Sequence, residues 1–245
     1  MSEKTKRITL FDHMKVPLDW LKEFVDIENV SIENMAELMT NCGLEVDAFD
    51  HTHLEVSQTP DLGYTRSMIG VARFLKQLYD LEVKHPKIHP FQEVLEAPKV
   101  TIEQNTKDYV PQYRLRSIRG IQNGDSPDWM QRRLKACGMQ PKNLIVDVTN
   151  YVQLALGQPL HAFDEDQLQG PLHVELSSKK IPFTTLLDTQ VEAPPSTLLI
   201  TSKGRLEAVA GVIGAKESSV SSETTNILLE SAQFSSTCIR RASKG

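Results

Sequence analysis

Residues 143–164 read NLIVDVTNYVQLALGQPLHAFD, and the point at which this stretch stops being a helix organises the rest of the chain. Leu144, Val148, Tyr151, Val152 and Ala155 recur at the spacing of one buried helical face. Asn143 has the side chain of an N-cap, Gly157 suits the left-handed residue that ends a helix, and Pro159 forbids continuation. The chain then turns and presents Leu160, His161, Ala162, Phe163 and Asp164 on a short loop. A helix carrying polar Asp147, Thr149 and Asn150 is followed at once by His161, an arrangement that can wall a pocket.

Upstream, a short amphipathic helix is expected over residues 16–24, with Leu18, Leu21, Phe24 and Val25 on one side. A second helix opens after Ser31 and closes at Cys42-Gly43. Leu44, Val46 and Ala48 alternate as a strand, Leu54 and Val56 begin another, and Asp50-His51-Thr52-His53 joins them as a hairpin. A third helix covers roughly residues 64–79, with Ile69, Ala72, Phe74, Leu75 and Leu78 as its stripe. Downstream, Tyr113, Leu115 and Ser117 alternate with arginines, and Ser126-Pro127 starts a helix that Gly138 ends. Short strands follow around residues 174–176, 197–201, 208–213 and 227–230, then a final helix from about Ser235. The expected class is α+β: a small helix–strand domain (14–82), a proline-bearing connection (83–112) and a larger mixed α/β domain (113–245). Residues 1–13, polar and aperiodic, read as a leader or an expression remnant.

Composition narrows the function. The 245 residues carry a net charge of −5, which argues against a general nucleic-acid coat. Between residues 114 and 142, however, Arg114, Arg116, Arg119, Arg132, Arg133, Lys135 and Lys142 face only Asp125 and Asp128, a basic run that suits either phosphates or a solvated surface. Cys42, Cys137 and Cys238 match no zinc or redox spacing. No apolar run approaches the ~20 residues of a membrane span, so the expected compartment is the cytoplasm.

No metal cluster, phosphate loop or nucleophilic triad can be read from spacing, which leaves a positioned water as the reagent of any hydrolysis. Glu230 follows apolar Ile227-Leu228-Leu229; it is either a carboxylate at a pocket or an exposed strand end. Thr149 and Asn150 line the pocket or bond back within their helix. Ala210-Gly211 offers unhindered backbone to a ligand.

VDVTNYV, LGQPLHAFD, AGVIGA and NILLESAQF resemble, in order and spacing, the editing domain of the bacterial phenylalanyl-tRNA synthetase beta subunit, from about Met14 to Gly245. The resemblance implies a second sieve that hydrolyses tyrosyl-tRNA(Phe) by post-transfer editing. His161, Thr149 and Asn150 would then place the ester and the terminal adenosine. Glu230 would accept from the tyrosine hydroxyl, and phenylalanine would leave that carboxylate unpaired, costing roughly 1–3 kcal/mol. Backbone near Ala210 and Gly211 would approach the aminoacyl group. The implied partners are tRNA(Phe) and the synthetase alpha subunit, with neither membrane nor DNA. No metal or other cofactor is implied for editing, since ATP and magnesium belong to a synthetic site outside this chain.

Four departures from the family stand out. The oligonucleotide-binding barrel expected between the strands at 44–48 and 54–56 is replaced by a few residues, and the later domains are missing. Gly214-Ala215 stands in place of Gly-Gly, and Leu187-Asp188-Thr189 in place of Leu-Asp-Gly. Alanine and threonine resist positive φ, so the turns beside the pocket are the suspect places. The two rivals to editing by a shortened subunit are a non-catalytic, tRNA-contacting module and a free-standing deacylase.

Overall fold

The computed structural model describes residues 13–89 and 99–243. All of the expected leader except His13, and the middle of the expected connection, lie outside the described residues. The fold is α+β, and it divides into two units that are discontinuous in sequence. Among the described residues, the first comprises 13–89, 126–141 and 150–158, and the second comprises 99–125, 142–149 and 159–243.

In the first unit, β1 (Met14–Pro17), β2 (Glu45–Phe49) and β3 (His53–Ser57) form an antiparallel sheet in the order β1-β3-β2. The expected helix over 16–24 is mostly something else. Met14, Val16 and Pro17 are buried in a strand, and only α1 (Leu18–Leu21) is helical, because Pro17 closes the strand and presets the first helical turn. The β2–β3 hairpin forms as expected, and Asp50 organises it by accepting from the Thr52 amide at 2.7 Å and the His53 amide at 3.0 Å. Helix α2 (Ile32–Asn41) is capped by Ser31, whose Oγ accepts from the Asn34 amide at 3.2 Å. The third helix starts later than the apolar stripe suggests. Residues Pro60–Thr65 form a 3-10 turn, and α3 (Met68–Tyr79) begins after Ser67, whose Oγ accepts from the Gly70 amide at 3.1 Å.

Helix α4 (Asp128–Ala136) opens after Ser126-Pro127 and stops before Gly138, as expected. Arg133 bonds Glu23 and the Tyr151 hydroxyl, and its guanidinium stands 5.5 Å from the Trp20 ring and 5.6 Å from the Trp129 ring. Cys137 behaves as a packing residue, its thiol pushed up to about 12 by burial.

Helix α5 (Leu144–Leu156) contributes to both units. Its buried face is the expected stripe only in part: Ala155 is buried as expected, but Val148 is exposed, and Ile145 and Leu154, outside the stripe, are buried. The helix is apolar on several sides, so periodicity alone could not choose its face. Its start is as expected, with Asn143 Oδ1 accepting from the Val146 amide at 3.1 Å.

The second unit is layered. β5 (Gln112–Ile118), β6 (His161–Asp164) and β13 (Ile227–Gln233) make an antiparallel sheet in the order β5-β13-β6. A five-stranded sheet runs β12-β11-β10-β7-β4, from β4 (Val100–Ile102), β7 (Leu172–Leu176), β10 (Leu198–Ser202), β11 (Arg205–Val209) and β12 (Ile213–Gly214). Its β4–β7 pairing is parallel. Between the two sheets lie Phe163, Leu172, Val174, Leu198, Ile200 and Leu228. The far face of the five-stranded sheet packs with residues of the hairpin β8 (Ile181–Thr184) and β9 (Gln190–Ala193), which the sequence reading missed. On the far face of the three-stranded sheet, Ile145 packs with Ala162 and Ile227. A helix α6 (Ser236–Ala242) follows β13.

Candidate functional site

The site is built on one face of the β5-β13-β6 sheet. His161 stands directly opposite Glu230, as does Leu115 on the other neighbour, so all three side chains share that face. His161 was expected on a loop; it is instead the first residue of β6, fixed by pairing with β13. Glu230 was expected to end its strand. It sits in the middle of the seven-residue β13 and is 6% exposed, which removes the alternative of an exposed terminus.

A buried carboxylate needs a partner, and Glu230 has one: the Tyr113 hydroxyl donates to its Oε2. Tyr113 lies on β5 opposite Ala232, diagonal to Glu230 on the same face. Two influences on Glu230 oppose each other. Burial disfavours the charged form and the tyrosine bond favours it; burial is the larger, and the pKa is raised to about 7. The Tyr113 phenol is pushed well above its ordinary range by its own burial and by the adjacent carboxylate.

His161 is half-buried, with its ring edge-on to Phe163 at 4.4 Å. On another side the backbone of Gly214 comes so close that a Cβ there would lie 2.7 Å from the imidazole Cε1 and 3.1 Å from Nε2. Burial lowers the pKa of His161 to about 4, so the imidazole is neutral at neutral pH. It can then bond or orient a water molecule or a hydroxyl, but it carries no charge to offer an anion.

The Val209–Val212 turn bounds the next element. The Val212 amide donates to the Val209 carbonyl at 3.0 Å, and Gly211 takes the left-handed third position with φ of 65°. Of the pair singled out from sequence, Ala210 is buried and its amide donates to the Leu198 carbonyl at 3.0 Å. That amide is therefore engaged in the sheet, which leaves the backbone of Gly211 as the candidate to meet a ligand. The expected strand over 208–213 is broken at this turn into β11 and β12.

The polar residues of α5 are less committed to chemistry than their spacing suggests. Asp147 is buried and accepts from the Lys142 amide at 2.8 Å, a helix-start contact that takes it out of the expected pocket wall. Thr149 donates to the Val146 carbonyl at 2.7 Å, the back-bonded alternative, and among the described residues no hydrogen bond joins it to His161 or Glu230. Asn150, half-buried, is grouped with the first unit.

The two suspect turns are free of the expected strain. Positive φ falls on Asp188, at 59°, and not on Thr189; Ala215 has no positive φ, is buried, and bridges to Thr185. Asp and Asn tolerate that region better than β-branched residues. The basic run is divided: Arg132, Arg133 and Lys135 belong to the first unit, and Arg114, Arg116, Arg119 and Lys142 to the second. In the second unit Arg114, Arg116 and Arg119 are exposed.

The family model described as the B3/4 domain matches residues 109–245, more than half of the chain and nearly all of the layered unit just described. The chain belongs to the B3/4 domain family. Relatives named phenylalanine–tRNA ligase beta subunit cover more than the B3/4 domain. That of Dehalococcoides mccartyi is 40% identical over 197 residues, 78% of this chain and 24% of the relative. That of Salinibacter ruber is 39% identical over 193 residues, 78% of this chain and 23% of the relative. This chain thus spans about a quarter of the length of these relatives. A solved N-terminal fragment of the phenylalanyl-tRNA synthetase beta subunit from Pyrococcus horikoshii covers 94% of this chain and 70% of its own, at 16% identity and a TM-score of 0.44. No helix among the described residues is long and apolar enough to cross a membrane.

Sequence reasoning missed two residues of the candidate site, Tyr113 and Gly214. Tyr113 had a weak signal, its inward place in an alternating strand. Gly214 had none, because a close approach between segments far apart in the chain leaves no trace in local spacing.

Proposed function

We propose that this chain hydrolyses the ester of tyrosyl-tRNA(Phe), acting as the editing part of a phenylalanine–tRNA ligase beta subunit. The observation that carries the reading is the buried Glu230, already accepting from one phenol, directly opposite a neutral histidine. A carboxylate in such a place recognises a phenol hydroxyl and disfavours the analogue that lacks it, because Oε1, the oxygen Tyr113 leaves open, would then be covered without a donor. His161 orients the attacking water or the ribose hydroxyl beside the ester. The Gly211 backbone approaches the aminoacyl carbonyl, and Thr149 lends its hydroxyl if it releases Val146. The acceptor end of tRNA(Phe) is the macromolecular partner, and the synthetase alpha subunit is a partner of the longer protein.

The competing reading is a non-catalytic module that contacts tRNA. The bond from Thr149 to Val146 and the engaged Ala210 amide favour it, since both remove groups from the chemistry. Deacylation of tyrosyl-tRNA(Phe) and phenylalanyl-tRNA(Phe) by the 245-residue chain separates the two. Selective loss of the tyrosyl ester supports editing. No hydrolysis by excess folded protein, with tRNA binding retained, supports the non-catalytic module.

A further inference from the structure

Tyr113 belongs to none of the groups assigned a role above, yet among the described residues it is the side-chain hydrogen-bond partner of the Glu230 carboxyl. The sheet register fixes it there. Tyr113 opposes Ala232, two residues along β13 from Glu230, and its ring is held edge-on by Phe234 at 6.1 Å. A tyrosine held by its own strand and by an aromatic neighbour does not readily swing away when a ligand arrives. Its donation goes to Oε2, which leaves Oε1 as the acceptor for a second hydroxyl.

We propose that Tyr113 is a positioning residue for phenol recognition: its hydroxyl holds the Glu230 carboxyl in one orientation and in its acceptor form, so that a substrate phenol meets Oε1. This inference rests on the editing reading. The physical point is that a protonated carboxyl is itself a donor and no longer demands a donor from the ligand, whereas an ionised one accepts only. Selectivity for a phenol over a bare phenyl ring therefore depends on keeping Glu230 ionised in a place where burial favours the acid. The Tyr113 bond opposes that tendency.

The test compares Tyr113→Phe with the unchanged 245-residue chain, using Glu230→Gln to assign the carboxyl band in an infrared pH titration of the protein alone. Loss of the bond should raise the Glu230 midpoint by about one to two pH units, the worth of a hydrogen bond to a charged group. In the same variant, preference for the tyrosyl over the phenylalanyl ester at neutral pH should fall about ten-fold, and should return as pH is raised past the new midpoint. An unchanged midpoint in folded Tyr113→Phe overturns the positioning role, as does unchanged selectivity where the parent chain is selective. If the parent chain hydrolyses neither ester, the editing reading fails, and the titration still decides whether Tyr113 controls the carboxyl.

Discussion

Gly214 leaves room for His161 by having no side chain: a Cβ on Gly214 would fall 2.7 Å from the imidazole Cε1 and 3.1 Å from Leu186 Cδ2. The two residues belong to different strands, β12 and β6, and meet only in the folded unit. A methyl group there must push the ring off its position, because Phe163 packs against the ring as well. Gly214→Ala should therefore shift the His161 ring resonances, lower stability by roughly 1–3 kcal/mol, and reduce tyrosyl ester hydrolysis more than tRNA binding. NMR of the imidazole with thermal melts checks this; an unmoved ring would show that the neighbours give way instead.

His161 should also mark the acid side of the stability profile. Its pKa falls from 6.5 to about 4 on folding, so protons bind preferentially to the unfolded chain. The associated stability is whole above about pH 6.5 and is lost as pH drops through 4, on the order of 3 kcal/mol in total. His161→Gln should flatten the slope of denaturation free energy between these pH values. A slope identical to that of the parent would show that His161 titrates normally.

Glu230 works in the opposite direction. Its pKa rises from 4.5 to about 7 on folding, so its contribution is whole below about pH 4.5 and is lost as pH rises through 7. Between roughly pH 4.5 and 6.5 the two residues therefore tilt the profile in opposing senses. Glu230→Gln keeps the shape and removes the charge. The variant should gain stability relative to the parent above pH 7, while its preference for tyrosyl over phenylalanyl ester falls about ten- to a hundred-fold. Urea denaturation at pH 6 and pH 8, beside single-turnover deacylation of both esters, measures the two effects separately.

Among the described glycines of the first unit, Gly70 has the least room for a side chain. A Cβ on it would lie 1.8 Å from the Tyr64 carbonyl oxygen, a backbone atom of the 3-10 turn packed against the start of α3. The Ser67 cap bonds that same residue's amide, so the turn cannot move without losing the cap. Gly70→Ala should cost at least about 2 kcal/mol, in contrast to the usual gain from placing alanine in a helix. Chemical denaturation followed by Trp20 fluorescence reads this unit directly.

Local chemistry carried much of the fold in legible form. Ser31, Asn143 and Gly157 mark helix ends because caps and left-handed residues act over three or four positions, within reach of a sequence pattern. The Asp50 hairpin was legible for the same reason. The stretch at residues 14–24 was not: alternation and helical spacing coincide over so few residues, and Pro17 alone decides the switch. The face of α5 was legible only in part, Ala155 being buried and Val148 exposed, since periodicity does not choose a face on a helix apolar on several sides.

The sequence by itself determined the family, the α+β class and the residue types at the site, His161 and Glu230 among them, because caps, turns and ordered motifs are properties of neighbours in the chain. Only the tertiary structure decided that Glu230 is mid-strand and buried, that Tyr113 is its partner and that Gly214 seats His161. Those three facts depend on strand register and close backbone approach between residues from 53 to 117 positions apart. Burial and pairing of charge are set by what surrounds a residue in space, and no local pattern encodes them.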